Sequence, residues 1–199
     1  MENYMKKVIT HHFLILILTM LALQTSFAQR TVKMNLETMI EKAGMIVHGT
    51  VAKVETGEDP ETKIISTFVT INVKEDFYGA KEQQITLKMV GGKTAKRTIR
   101  FSEMPKFVVG EEIISLFLPP SKYGFTSPVG MGQGKFSIQT DVKTDKQTVR
   151  NASRNSNLFS GVKNSSALAK KEWIQHSNEN IELAELSQTI RSFVTILKK

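Results

Sequence analysis

The chain has 199 residues, a formal charge of +8, four histidines and no cysteine. That length allows one domain with a sizeable core, and the missing thiols exclude both a disulfide-stapled module and thiol catalysis. The charge is uneven, +2 over Gln29–Val142 and +5 over Lys143–Lys199, a distribution that serves solubility or rests on a polyanion.

Met1–Ala28 reads as an export signal. Lys6 and Lys7 precede an apolar run from Phe13 to Leu18, and Ser26-Phe27-Ala28 places small residues where a signal peptidase reads. The run is shorter than the roughly 20 residues that cross a bilayer. The expectation is cleavage before Gln29, with a retained signal-anchor as the alternative, no transmembrane anchor after cleavage, and a periplasmic or extracellular location.

Residues 29–140 are expected to form one β domain. Asn35 caps a short helix with Leu36, Met39, Ile40 and Ala43 on its apolar side and Gly44 as its stop. Met45–Val54 follows as a strand whose apolar half is buried on both faces. Gly57, Asp59 and Pro60 mark a turn. From Ile64 to Phe77, Ile65, Thr67, Val69, Ile71 and Val73 alternate with Ser66, Thr70, Asn72 and Lys74, and only Phe68 breaks the pattern.

Gln84–Val90 is a further strand, with Ile85, Leu87 and Met89 aligned, and it ends at Gly91-Gly92. Arg97–Phe101 reads as its short partner. Glu112–Leu118 is apolar enough for a central strand and stops at Pro119-Pro120. Tyr123–Val129 and Lys135–Gln139 read as a last pair. Short strands at close spacing predict a mainly β fold, not alternating βαβ units. Residues 141–178 are rich in Asn, Ser, Lys and Thr and read as a polar linker. Residues 179–199 form an amphipathic helix with Ile181, Leu183, Leu186, Ile190, Phe193, Val194 and Leu197 along one stripe.

The chemistry-bearing residues are few. After Ala28 only His48 and His176 remain. His48 falls in an apolar strand, as a hydrogen-bonded structural histidine does, and His176 lies in polar surroundings. Without a spaced carboxylate they predict no metal site, and neither His-Glu-x-x-His nor Gly-x-Ser-x-Gly occurs. Gly91-Gly92-Lys93 and the Gly130, Gly132, Gly134 series lack the spacing and the following helix of a phosphate loop. No catalytic residue, metal or cofactor is expected.

The binding candidate is basic. Lys88, Lys93, Lys96, Arg97 and Arg100 fall between Gln83 and Ser102 with no acidic residue among them. Such an edge suits an acidic partner or a polyanion, or it discourages strand-to-strand aggregation. It lacks the interleaved aromatic side chains that single-stranded nucleic acid stacks on, so no nucleic acid is expected.

The order of motifs adds a resemblance. A short helix runs into Gly44-Met45-Ile46-Val47-His48-Gly49-Thr50-Val51, and a long strand ends Lys74-Glu75-Asp76-Phe77-Tyr78-Gly79. Val90-Gly91-Gly92, Met104-Pro105-Lys106-Phe107-Val108-Val109-Gly110-Glu111-Glu112 and Gly134-Lys135-Phe136 follow. From Asn35 to Gln139 the chain resembles a family of exported bacterial β-barrel domains of unassigned function, which occur alone or ahead of matrixin-type zinc protease domains. The resemblance implies a small antiparallel barrel of the OB or netrin-like type with a short N-terminal helix and a C-terminal helix. The function expected is an exported, non-enzymatic module that binds a protein or an anionic envelope component. The alternative is an inhibitor or accessory chaperone of an exported metalloprotease, and an enzyme with a site assembled from scattered residues ranks third.

Overall fold

The first helix begins where a side chain replaces a missing backbone partner. In the computed structural model, which describes residues 32–164 and 181–199 with Met1, Met5 and His12, α1 spans Leu36–Lys42. Asn35 caps it, accepting a hydrogen bond from Thr38 N–H at 2.8 Å. Gly44 follows the helix for a different reason from the one expected. It is a packing glycine: a Cβ there would stand 2.7 Å from Pro119 Cα. The export signal read at Met1–Ala28 lies almost wholly outside the described residues.

The strands are β1 (Met45–Glu58), β2 (Ile65–Tyr78), β3 (Gln84–Val90), β4 (Gly92–Lys93), β5 (Thr98–Ile99), β6 (Glu112–Phe117), β7 (Lys135–Thr140), β8 (Gln147–Asn151) and β9 (Ile181–Glu182), and α2 is Leu183–Leu197. Seven of them form one antiparallel sheet in the order β3-β2-β1-β6-β7-β8-β9, and β4 pairs only with β5. The chain is thus mainly β, with a short N-terminal and a longer C-terminal helix.

Burial on two faces follows from alternation. In β1, Ile46 faces α1 and α2 while Val47 and Val51 face the other way; in β6, Ile114 and Leu116 oppose Ile113 and Phe117. One core therefore gathers Leu36, Met39 and Ile40 of α1 with Leu186, Ile190 and Phe193 of α2. The other gathers Val69 and Ile71 of β2 with Ile85, Leu87 and Met89 of β3. Both central strands were legible as apolar runs.

Three expectations fail. Within Arg97–Phe101, β5 pairs with β4 and not with β3, because the chain reverses in the short turn closed by Thr94 and Arg97. Tyr123–Val129 does not pair with Lys135–Gln139; β7 pairs with β6 and β8 instead. Pro128 has no N–H for a ladder, and a 3-10 turn at Met131–Gln133 redirects the chain. Residues 121–129 form a strap between β3 and β6, with isolated bridges Lys88–Phe125 and Phe117–Pro128. Thr126 N–H donates to Lys88 O and Leu118 N–H to Ser127 O, each at 2.9 Å.

The described part of the presumed linker is also structured. β8 joins the sheet, and Val149, Leu158 and Phe159 enter the helix-side core. Asn155 is fully buried and donates from Nδ2 to Val149 O at 2.9 Å, while its Oδ1 accepts from Asn151 N–H at 3.0 Å. Glu37 of α1 fastens the end of this segment by accepting from the backbone N–H groups of Lys163 and Asn164. Burial opposes ionisation of Glu37, but these donors outweigh it and hold the carboxyl below its ordinary range. Residues 165–178 of that reading lie outside the described residues.

α2 carries the expected stripe from Leu183 onward, with Leu186, Ile190 and Phe193 fully buried, but Ile181, expected on the same helix, stands in β9 and pairs with Val149 of β8. Just beyond α2, Lys198 Nζ donates to Glu41 O at 2.9 Å and Ala43 O at 2.7 Å, so the end of one helix caps the end of the other. Among the described residues no helix is long and apolar enough to cross a membrane. Phe193→Ala should cost about 3–5 kcal/mol of stability through the cavity it leaves. Urea unfolding of the full chain measures this; a loss under about 1 kcal/mol would mean that α2 does not hold the core.

Candidate functional site

The basic residues singled out from the sequence separate into two environments. Lys88 of β3 has a side chain only 18% exposed, and its Nζ donates to Asp59 Oδ2 at 2.8 Å and lies 4.5 Å from the centre of the Phe125 ring. It therefore ties the β1–β2 turn and the strap to β3, and its charge is engaged within the fold. Asp59 also accepts from the backbone N–H and the hydroxyl of Thr62, at 2.8 and 2.7 Å. The Lys88 ammonium first, then these two donors, hold its carboxyl down to about 2.

Lys93, Lys96, Arg97 and Arg100 are exposed on and around the β4–β5 hairpin. Thr94 N–H closes the turn on Arg97 O at 2.8 Å. Arg97 stands 3.8 Å from Glu58, an exposed pair of little energetic weight. Among the described residues no carboxylate pairs with Lys93, Lys96 or Arg100.

Beside this hairpin lie two cavities. The first, about 390 Å³, has Val54, Met89, Phe101 and Phe107 on its apolar wall and Lys93, Arg100 and Lys106 among its lining residues. The second, about 430 Å³, is lined chiefly by Val90, Phe101, Met104, Leu118, Phe125 and Met131. Val90, Phe101 and Met104 border both, and no acidic side chain is among the described residues that line either. These volumes fall within the range of small-molecule sites, about 300–1,000 Å³.

The walls have identifiable supports. Gly92, at φ +138°, lets the hairpin lie against β1, where a Cβ would meet Thr56 Cγ2 at 2.3 Å. Thr67 Oγ1 donates to Gly91 O at 2.7 Å. The outer wall is held by Lys135 of β7, only 7% exposed, whose Nζ donates to both Glu111 carboxylate oxygens at 2.6 and 2.8 Å and to Lys106 O at 2.8 Å. Ser137 Oγ adds a bond to Glu111 at 2.6 Å, and Phe107 stacks on Phe117 at 6.3 Å between centroids.

Two other hollows differ in character. One of about 410 Å³ lies where His48, Glu75, Glu182, Ser187 and Arg191 meet. His48 Nε2 lies 2.7 Å from Glu112 Oε1, which Lys74 Nζ also reaches at 2.7 Å, and Arg191 Nε donates to Glu75 at 2.6 Å. Burial opposes ionisation of Glu112, yet Lys74 and His48 hold it below its ordinary value. His48 is thus hydrogen-bonded, as its place in an apolar strand suggested, and these charges satisfy one another. The other, about 720 Å³ beside the β2–β3 turn, mixes Lys74, Asp76, Lys81 and Glu82. No group of three His, Cys, Asp or Glu side chains among the described residues is placed to hold a metal.

The sequence reading found the hairpin cations but missed the apolar half of the site. Phe101 and Val108 lie outside the strands and are 47% and 61% exposed, a property of the fold that the sequence does not report, and large apolar side chains clustered at a surface mark contact sites. His176 lies outside the described residues. Comparisons of the chain with family models, curated proteins and solved structures gave no match.

Asp59 yields a pH prediction. Its folded pKa is depressed, so its contribution is present above the ordinary value of 3.8 and fades as pH falls towards about 2. Asp59→Asn should lower stability at neutral pH and flatten the acid limb of the stability curve over that interval. Thermal midpoints of both proteins across the interval measure it; parallel curves would show that the Asp59–Lys88 pair does not govern acid stability.

Proposed function

We propose that the chain is an exported, non-enzymatic binding module that recognises a protein or an anionic envelope component through the β4–β5 hairpin and the cavities beside it. One observation carries the reading: Lys93 and Arg100, with no carboxylate partner among the described residues, border an apolar hollow whose described lining residues include no acidic side chain. A positive rim draws an anionic partner by long-range attraction, and desolvation of the apolar wall supplies affinity. Export is supported by Lys6 and Lys7, the Phe13–Leu18 run and Ser26-Phe27-Ala28.

A small barrel of the OB or netrin-like type is the fold reading that suits this function. Its support is the strap at residues 121–129, which bridges to β3 on one side and β6 on the other, and the apolar residues that β1, β2, β3 and β6 turn towards one another. In such a barrel the hairpin and the 101–110 connection cluster at one end, where loops carry recognition.

The test is capture from envelope extract by the full chain and by the charge-reversed Lys93→Glu/Lys96→Glu/Arg100→Glu protein. The parent should retain a stoichiometric component at low salt and lose most of it as screening shortens the Debye length from about 30 Å to about 10 Å. The variant should retain little at any salt, with its stability within about 0.5 kcal/mol of the parent because all three side chains are exposed. Equal retention by both proteins would place recognition elsewhere on the molecule.

A further inference from the structure

The two cavities differ in polarity along a single direction. The 390 Å³ cavity has Lys93, Arg100 and Lys106 in its lining, whereas no charged side chain is among the described residues that line the 430 Å³ cavity. Their common border is Val90, Phe101 and Met104, and Phe101 is 47% exposed, so little packing fixes that partition. Methionines contribute on both sides, Met89 to the first cavity and Met131 to the second, with Met104 between. Unbranched thioether side chains conform to irregular apolar shapes without a fixed complement.

A partner that satisfies this arrangement has an anionic group at one end and a flexible apolar body at the other. Resting on the binding-module reading above, we infer that the joined cavities take one single-chain anionic amphiphile, its carboxylate or phosphate head at Lys93, Arg100 and Lys106 and its chain passing Phe101 and Met104 towards Leu118 and Phe125. Charge complementarity selects this occupant. The cations at the rim have no carboxylate partner among the described residues, and Arg100 offers the forked donors that pair two oxygens of one anion. The hollow is also concave and of ligand size, unlike the flat apolar patches through which folded proteins meet.

The experiment is calorimetric titration of the full chain with dodecanoate, dodecanol, dodecyl phosphate and inorganic phosphate, each below any micelle-forming concentration. Dodecanoate and dodecyl phosphate should saturate at one molecule per chain. Dodecanol should bind at least about tenfold more weakly, the loss expected for a charge-assisted contact, and inorganic phosphate should not compete. Lys93→Gln/Arg100→Gln, both at exposed positions, should bring dodecanoate to within about threefold of dodecanol and leave the thermal midpoint unchanged. Met104→Trp should weaken all three chain-bearing ligands by filling the common border.

Equal affinity for dodecanol and dodecanoate, more than one amphiphile per chain, or inorganic phosphate matching dodecyl phosphate would each overturn the inference. If no amphiphile saturates while the charge-reversed protein still loses its captured component, this inference fails and the binding module stands. If neither behaviour is seen, both fail together.

Discussion

Everything in this molecule is arranged around a strand that must be dry on both sides. β1 sends Ile46 into a core shared with two helices and Val47 and Val51 into a core shared with β2 and β3. Such a strand cannot shift its register by one residue without exchanging its two apolar sets. Its neighbours are therefore fixed: β6 on one side, itself apolar on both faces, and the long β2 on the other. Helices close one face. The short strands and the strap at residues 121–129 lie towards the other, and the cavities open where that side ends.

The cleft end of the molecule is held by charge buried within the fold. Lys135 reaches from β7 to Glu111 and to the carbonyl of Lys106, and Lys88 reaches from β3 to Asp59. A buried ion pair seldom adds net stability over an apolar one, because both ions lose their hydration. What these pairs supply is position. Each joins a strand to a connection, so the outer wall of the cleft and the β1–β2 turn take one arrangement.

The parts that were legible in the sequence are those governed by periodicity. Asn35 with Leu36, Met39 and Ile40, the alternation of β2, and the apolar run of β6 needed no tertiary knowledge. Failures came where a few residues act inside a polar context. Val149, Leu158 and Phe159 secure a segment whose composition otherwise reads as unstructured. Tyr123–Val129 has the residues of a strand but is placed by single bridges, which no periodicity reports. Among the candidate cations, Lys93, Lys96, Arg97 and Arg100 were placed together by a two-strand hairpin, whereas Lys88 turned inward because Asp59, remote in sequence, meets it. Pairing across such distances is a property of the fold, and the apolar cleft emerges only when three connections converge.

The contact between the two helices has a consequence for how the chain can be made. Leu36, Met39 and Ile40 come first and Leu186, Ile190 and Phe193 come last, yet they occupy one core. A chain emerging from its N-terminus, whether from a ribosome or through a narrow pore, exposes the first set for nearly its whole length before the second arrives. The helix-side core cannot close early. Closure of the helix-side core is thereby deferred until residues 181–199 are free to pack.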